Sequence, residues 1–187
     1  KPSSAASDVY KRQQLLGSKL INSDVFSVHA GHNIAKVRGW IVDQKDLKLC
    51  LLIVESRDKN TMYLQASDIR SIGIINGPSV IIDFEDKLSD KEDLIRQKDL
   101  IESKFDLLGA KVHTQSGKKI GRVKDLSIDY QDFYVLKLHI KARAMQRVLN
   151  ERLLIDRTDI LEIKKDRIIV KDGYAKTKQS YAKVLPA

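Results

Sequence analysis

The chain has 187 residues, 42% of them hydrophobic, with a formal net charge of +9, one cysteine and one tryptophan. A single cysteine excludes a disulfide framework and fits a reducing compartment, so the expected localisation is cytoplasmic. No run approaches the roughly 18 consecutive apolar residues of a membrane-spanning helix, which predicts a soluble protein.

Residues 1–13 are set aside, because Ser3 to Gln13 reads as the in-frame translation of a transposase sequencing adapter, a cloning scar that leaves the native start undefined. Lys19-Leu20-Ile21 then predicts the start of a strand, residues 22–33 a long hairpin loop, and Ile34 to Val42 the returning strand. The apolar run Leu49-Cys50-Leu51-Leu52-Ile53-Val54 predicts a strand buried on both faces. Met62-Tyr63-Leu64 and Val80-Ile81-Ile82 follow, with a turn at Asn76-Gly77-Pro78. Short strands with polar turns point to a barrel, since closure hides the edges.

Residues 84–106 read as a charged helical linker. Ser89-Asp90-Lys91-Glu92 has the form of a capping box and predicts a helix from about Asp90 to Ser103, carrying Leu94, Ile101 and Phe105 on one stripe with Ile95 beside it. A second set of elements begins after it. His113 to Lys118 is a short hairpin turn, Leu126-Ser127-Ile128 and Phe133 to Ile140 are strands, and the spacing between Lys141 and Glu151 suits one or two helical turns. Leu153-Leu154-Ile155 and Ile168-Ile169-Val170 close the set, and residues 173–187 form a basic tail expected to be flexible.

The second set repeats the first. Leu15-Leu16-Gly17-Ser18-Lys19 returns as Leu107-Leu108-Gly109-Ala110-Lys111 with a shift of 92, and Ile34-Ala35-Lys36-Val37 as Ile120-Gly121-Arg122-Val123 with a shift of 86. The difference implies six extra residues between the first two strands of copy one. Ser67-Asp68-Ile69 likewise returns as Thr158-Asp159-Ile160. A repeat of this size implies two copies of one small domain, at residues 14–83 and 107–172. Charge divides unevenly between them: residues 107–187 hold 18 Lys and Arg against 9 Asp and Glu, whereas residues 14–106 hold 13 against 15. The second half therefore suits an anionic partner, or the first half itself.

The order of glycine, strand, turn, (Ala/Gly)-(Lys/Arg)-Val, apolar strand, (Ser/Thr)-Asp-Ile and a last strand ending Val-Ile-Ile or Ile-Ile-Val resembles the PRC-barrel family. That family is related to the cytoplasmic domain of the photosynthetic reaction-centre H subunit and the C-terminal domain of the ribosome maturation factor RimM. The resemblance implies a mainly β protein, two small PRC-like β-barrels in tandem joined by a short helical linker, that binds other proteins and is not an enzyme. The chain departs from RimM in carrying a second such copy where RimM has a different N-terminal barrel.

The residues add no catalytic signature. There is no phosphate-binding glycine loop, Ser/His/Asp order or carboxylate pair. His29 and His32 lie three apart, but a metal needs further ligands, so no metal or cofactor is expected. Cys50 in an apolar strand behaves as a small hydrophobe. Asp68 and Asp159 suit turn caps better than proton transfer. The first expectation is a non-catalytic adaptor or scaffold that binds protein partners through Phe26, His29, His32, Trp40, Tyr130 and Phe133. The second is an RNA- or ribosome-associated maturation factor using Lys118, Lys119, Arg122, Lys124, Arg143, Arg147 and Arg152 against phosphates. A weaker third is a peripheral component of a membrane complex, with the same cations on an anionic surface. Oligomeric state stays open.

Overall fold

The computed structural model describes residues 14–73, 77–102, 106–142, 153–164 and 166–175. The expected helical turns after Lys141, the side chain of Phe105 and most of the basic tail lie outside them. The architecture is mainly β, in two seven-stranded sheets. The first holds β2 (Asp24–Ser27), β3 (His32–Asp43), β4 (Lys48–Ser56), β5 (Thr61–Gln65), β6 (Ile69–Gly73), β7 (Ser79–Ile82) and β8 (Leu88–Ser89). The second holds β9 (Lys111–Thr114), β10 (Lys119–Asp129), β11 (Val135–Ala142), β12 (Leu153–Asp156), β13 (Ile160–Lys164) and β14 (Arg167–Val170), joined by β1 (Gln14–Leu16) from the start of the chain.

The sheets share one topology. Their orders are β6-β7-β2-β3-β4-β5-β8 and β13-β14-β9-β10-β11-β12, and each contains one parallel pair, β2 with β7 and β9 with β14. In each, two strands far apart in the path are consecutive in the chain: a 3-10 turn of three residues, Ala66–Asp68 or Arg157–Asp159, joins β5 to β6 and β12 to β13. Each sheet must therefore roll until those strands meet at the turn. The repeated (Ser/Thr)-Asp-Ile motif is this corner.

The expected closed barrels do not form among the described residues, because both pairing paths stay open. At the corner the backbone bonds locally, Ile69 N–H to Ala66 O and Ile160 N–H to Arg157 O, instead of starting a ladder. In the first sheet β8 also occupies the free edge of β5, pairing Leu88 with Leu64.

Two expectations for the first copy are corrected. Residues 22–33 are not one long loop: they contain β2, whose Val25 pairs with both Ala35 and Val80 and is fully buried. The segment Leu15 to Lys19 is not the counterpart of Leu107 to Lys111 either. Asn22 N–H bonds to Val37 O, Val37 N–H to Ser23 O and Ser23 N–H to Leu20 O, just as Gly109 bonds to Val123, Val123 to Ala110 and Ala110 to Leu107. Asn22 and Gly109 share the left-handed backbone this turn needs, with φ of 67° and 79°. The true counterpart of Leu107-Leu108-Gly109-Ala110 is thus Leu20-Ile21-Asn22-Ser23, a shift of 87 against the 86 of the next strand, so one extra residue, not six, lies between the first two strands.

The linker also differs from the single helix expected. It breaks into 3-10 turns at Lys91–Asp93 and Ile95–Gln97, followed by a short α-helix at Lys98–Glu102. Between the turns, Leu94 leaves helical geometry (φ −93°, ψ 55°) and buries its side chain, which turns Ile95 outward to 81% exposure. Asp90, not Ser89, stands at the first turn's N-cap and makes no side-chain capping bond.

One buried cluster runs through both sheets. They meet about a pseudo-two-fold axis: Leu49 N–H bonds to Phe133 O, Val135 N–H bonds to Leu47 O, each at 2.8 Å, and Lys48 bridges to Tyr134. Leu47 and Phe133 occupy equivalent repeat positions and both have left-handed backbones, with φ of 54° and 62°. The lead-in segments cross over. A helical turn, Gly17–Leu20, packs on β10, while Lys98–Glu102 packs on β3.

Candidate functional site

The residues singled out for partner binding separate into two groups. Trp40, Tyr130 and Phe133 belong to the core and to the joint between the sheets. Trp40 is half-buried, its ring so close to Gly17 that a Cβ there would lie 2.9 Å from it. Tyr130 packs half-buried on the core, and Phe133 is buried with its carbonyl held by Leu49. Neither Trp40 nor Phe133 is free to anchor a partner without opening the joint.

The remaining three lie at one end of the first sheet. Phe26 is half-buried in β2, opposite Asn33 and Ile81. The parallel β2–β7 pairing continues past the strands: Val28 N–H bonds to Ile82 O and His29 N–H to Asp83 O, both at 2.9 Å. This extension sets the His29 ring against Phe84, centroids 5.4 Å apart and tilted by 43°. Val28 and Phe84 are 47% and 50% exposed, so an apolar and aromatic surface caps this end. His32 is exposed nearby and its ring nitrogen Nδ1 lies 2.9 Å from Ala30 O.

Val28 and Phe84 were not singled out by sequence. The signal lay in comparing the copies, because the second sheet makes the same extension, Gln115 N–H to Val170 O, with different chemistry. There Asp172 stands in place of Phe84 and accepts a hydrogen bond from Ser116 N–H at 2.9 Å, which holds its carboxyl below the usual carboxylate range. One copy thus closes the turn with a polar bond and the other leaves two rings facing solvent.

Of the cations expected to meet phosphates, Lys118 and Lys119 are exposed at the β9–β10 hairpin and Lys124 is exposed at the irregularity in β10. Arg122 is exposed and pinned, its Nη1 donating to Gly109 O at 2.9 Å. Arg143, Arg147 and Arg152 lie outside the described residues. The chemistry elsewhere is quiet. Burial pushes the Cys50 thiol upward, away from thiolate reactivity. Asp68 and Asp159 face Lys87 and Lys171 at 3.8 and 2.9 Å. No group of three or more metal-ligating side chains occurs among the described residues, and no helix among them is long and apolar enough to cross a membrane.

A rolled sheet of short antiparallel strands with one parallel pair defines a small mainly β domain. Residues 101–176, which span the whole second sheet apart from β1, match the family model of the PRC-barrel domain, and this part of the chain belongs to that family. No curated protein matches the chain. Membership supports an interaction- or scaffold-type role in general terms.

Proposed function

We propose that the chain is a non-catalytic adaptor in the cytoplasm, built from two PRC-barrel domains in tandem, which holds a protein partner. The observation that carries this reading is the exposed Val28, His29 and Phe84 surface at the end of the first sheet. Exposed apolar groups gathered beside polar ones mark contact sites, and aromatic side chains are enriched in interfaces. The topological identity of the two sheets supports extending the family from the second copy to the first. The lone cysteine fits a reducing compartment.

The test is a pull-down from the source cell with the full chain and with a Val28→Ser, Phe84→Asp variant. Both residues are half exposed, so the variant is expected to melt where the parent does and to lose a co-purifying protein. An unchanged set of retained proteins would refute the surface.

A further inference from the structure

Charges of one sign directly opposite each other on neighbouring strands destabilise a sheet, so natural sheets alternate them. The second sheet does the opposite. Its register aligns Lys164 with Arg167, Arg167 with Lys111, Lys111 with Arg122 and Arg122 with Lys141. One transverse row across β13, β14, β9, β10 and β11 is therefore cationic at every strand, and all five residues are exposed. Strands lie about 4.8 Å apart, so the row is roughly 19 Å long.

The first sheet supplies an internal control. Its matching row is Gly73, Ser79, Asp24, Lys36 and Glu55, where Lys36 pairs with Asp24 at 2.6 Å. The same fold thus accepts an alternating row, and the second copy has replaced Asp24 by Lys111 and Glu55 by Lys141. At one end the charges are compensated, Arg167 by Asp166 and Lys164 by Glu162. Lys111, Arg122 and Lys141 form no ion pair among the described residues, Asp166 acting on Lys111 only through its longer-range charge. Buried His113 lies two residues from Lys111; its pKa is lowered first by burial and then by Arg167, Lys119 and Lys111, with Asp166 opposing them. A local rule broken without compensation is expected where a partner supplies the missing charge.

We infer that this row binds the phosphodiester backbone of a nucleic-acid duplex. A protein partner would need apolar anchors, and interfaces are depleted in lysine, yet the row is three lysines and two arginines. A single strand would need aromatic platforms for its bases, and the row has none. A duplex presents regular phosphates that cations meet with no such anchor. The inference stands apart from the apolar surface of the first sheet, on a different copy.

The test measures fluorescence anisotropy of labelled RNA and DNA duplexes of unrelated sequence with the full chain at several salt concentrations. The variant is Lys111→Asp, Lys141→Glu, which copies the first sheet's own Asp24 and Glu55 and so suits the fold. Three phosphate contacts predict that log K falls with log salt at a slope of about −3. The variant is expected to lose at least about tenfold in affinity and most of that slope, while its melting temperature stays level or rises as repulsion is relieved. Equal binding by parent and variant would overturn the inference. So would preference for a polyglutamate peptide, or for phosphatidylserine vesicles, over both duplexes. Loss of duplex binding in the Phe84→Asp variant would instead implicate the first sheet and also refute the row.

Discussion

His113 lies buried in β9 with its Nδ1 unpartnered, and burial is the first cause of its lowered pKa. The folded protein holds this imidazole neutral, whereas the unfolded chain protonates it below about pH 6.5. Its contribution is therefore fully present above that pH and declines as pH falls toward the depressed folded value. Asp166 and Asp172, whose carboxyls are held low by Arg167 and Ser116, act in a separate window below about pH 4. Thermal melts are expected to be level from pH 8 to 7 and to fall as the pH drops below about 6.5, and His113→Phe should flatten that fall; a parent curve already flat there would contradict it. Residue identity alone carried little of this. Trp40 looked like a free aromatic because its cover, Gly17, comes from a lead-in segment anchored on the other copy. Phe84 went unnoticed because its exposure depends on a parallel pairing that no local pattern announces.

At the scale of elements, most strands were legible, since alternation and apolar runs report burial directly. The hairpin from His113 to Lys118 and the corner motifs stand where their sequences place them. The failures came where a local likeness competed with tertiary contacts. Leu15 to Lys19 resembles Leu107 to Lys111 but serves as a strap: Leu15 pairs with Ile128, and Ser18 N–H bonds to Asp125 Oδ1 at 2.9 Å. The Asn22 turn escaped notice because asparagine there does the work of glycine in the second copy. Asp125→Ala removes the Ser18 N–H bond and the one that Ser18 Oγ donates to Asp125 Oδ2. It is expected to cost about 1 kcal/mol and to raise amide hydrogen exchange across residues 14–20, with Asp125→Asn restoring part of the protection. Protection unchanged by Asp125→Ala would show that β1 holds without this bond.

For the whole molecule, the duplication was legible and the manner of its joining was not. Two copies strung in line would each have their own core. Instead the copies lie about a pseudo-two-fold, share one buried cluster and exchange lead-in segments, so that each sheet is completed by residues belonging to the other. The joint uses self-complementary positions, as in symmetric dimers. Around it, Tyr134 receives both Lys48, at 5.1 Å, and Arg157, at 4.5 Å. Cooperative unfolding follows from such sharing. Calorimetry and circular dichroism should report one coincident transition, and two resolved transitions would mean that the copies fold alone.

The strap from Gln14 to Leu20 has a consequence for the chain on the ribosome. Its docking strand, β10, ends at Asp129, more than a hundred residues downstream. At synthesis rates of about 5–20 residues per second, the strap waits roughly 5–20 s for that partner. In the last part of this interval, once the chain has passed β8 at Leu88–Ser89, the first sheet is already made and the face of Trp40 that Gly17 will cover stands open. A nascent chain stalled in that window exposes a sticky hydrophobic seam that the finished molecule hides, and it is then that a chaperone has something to hold.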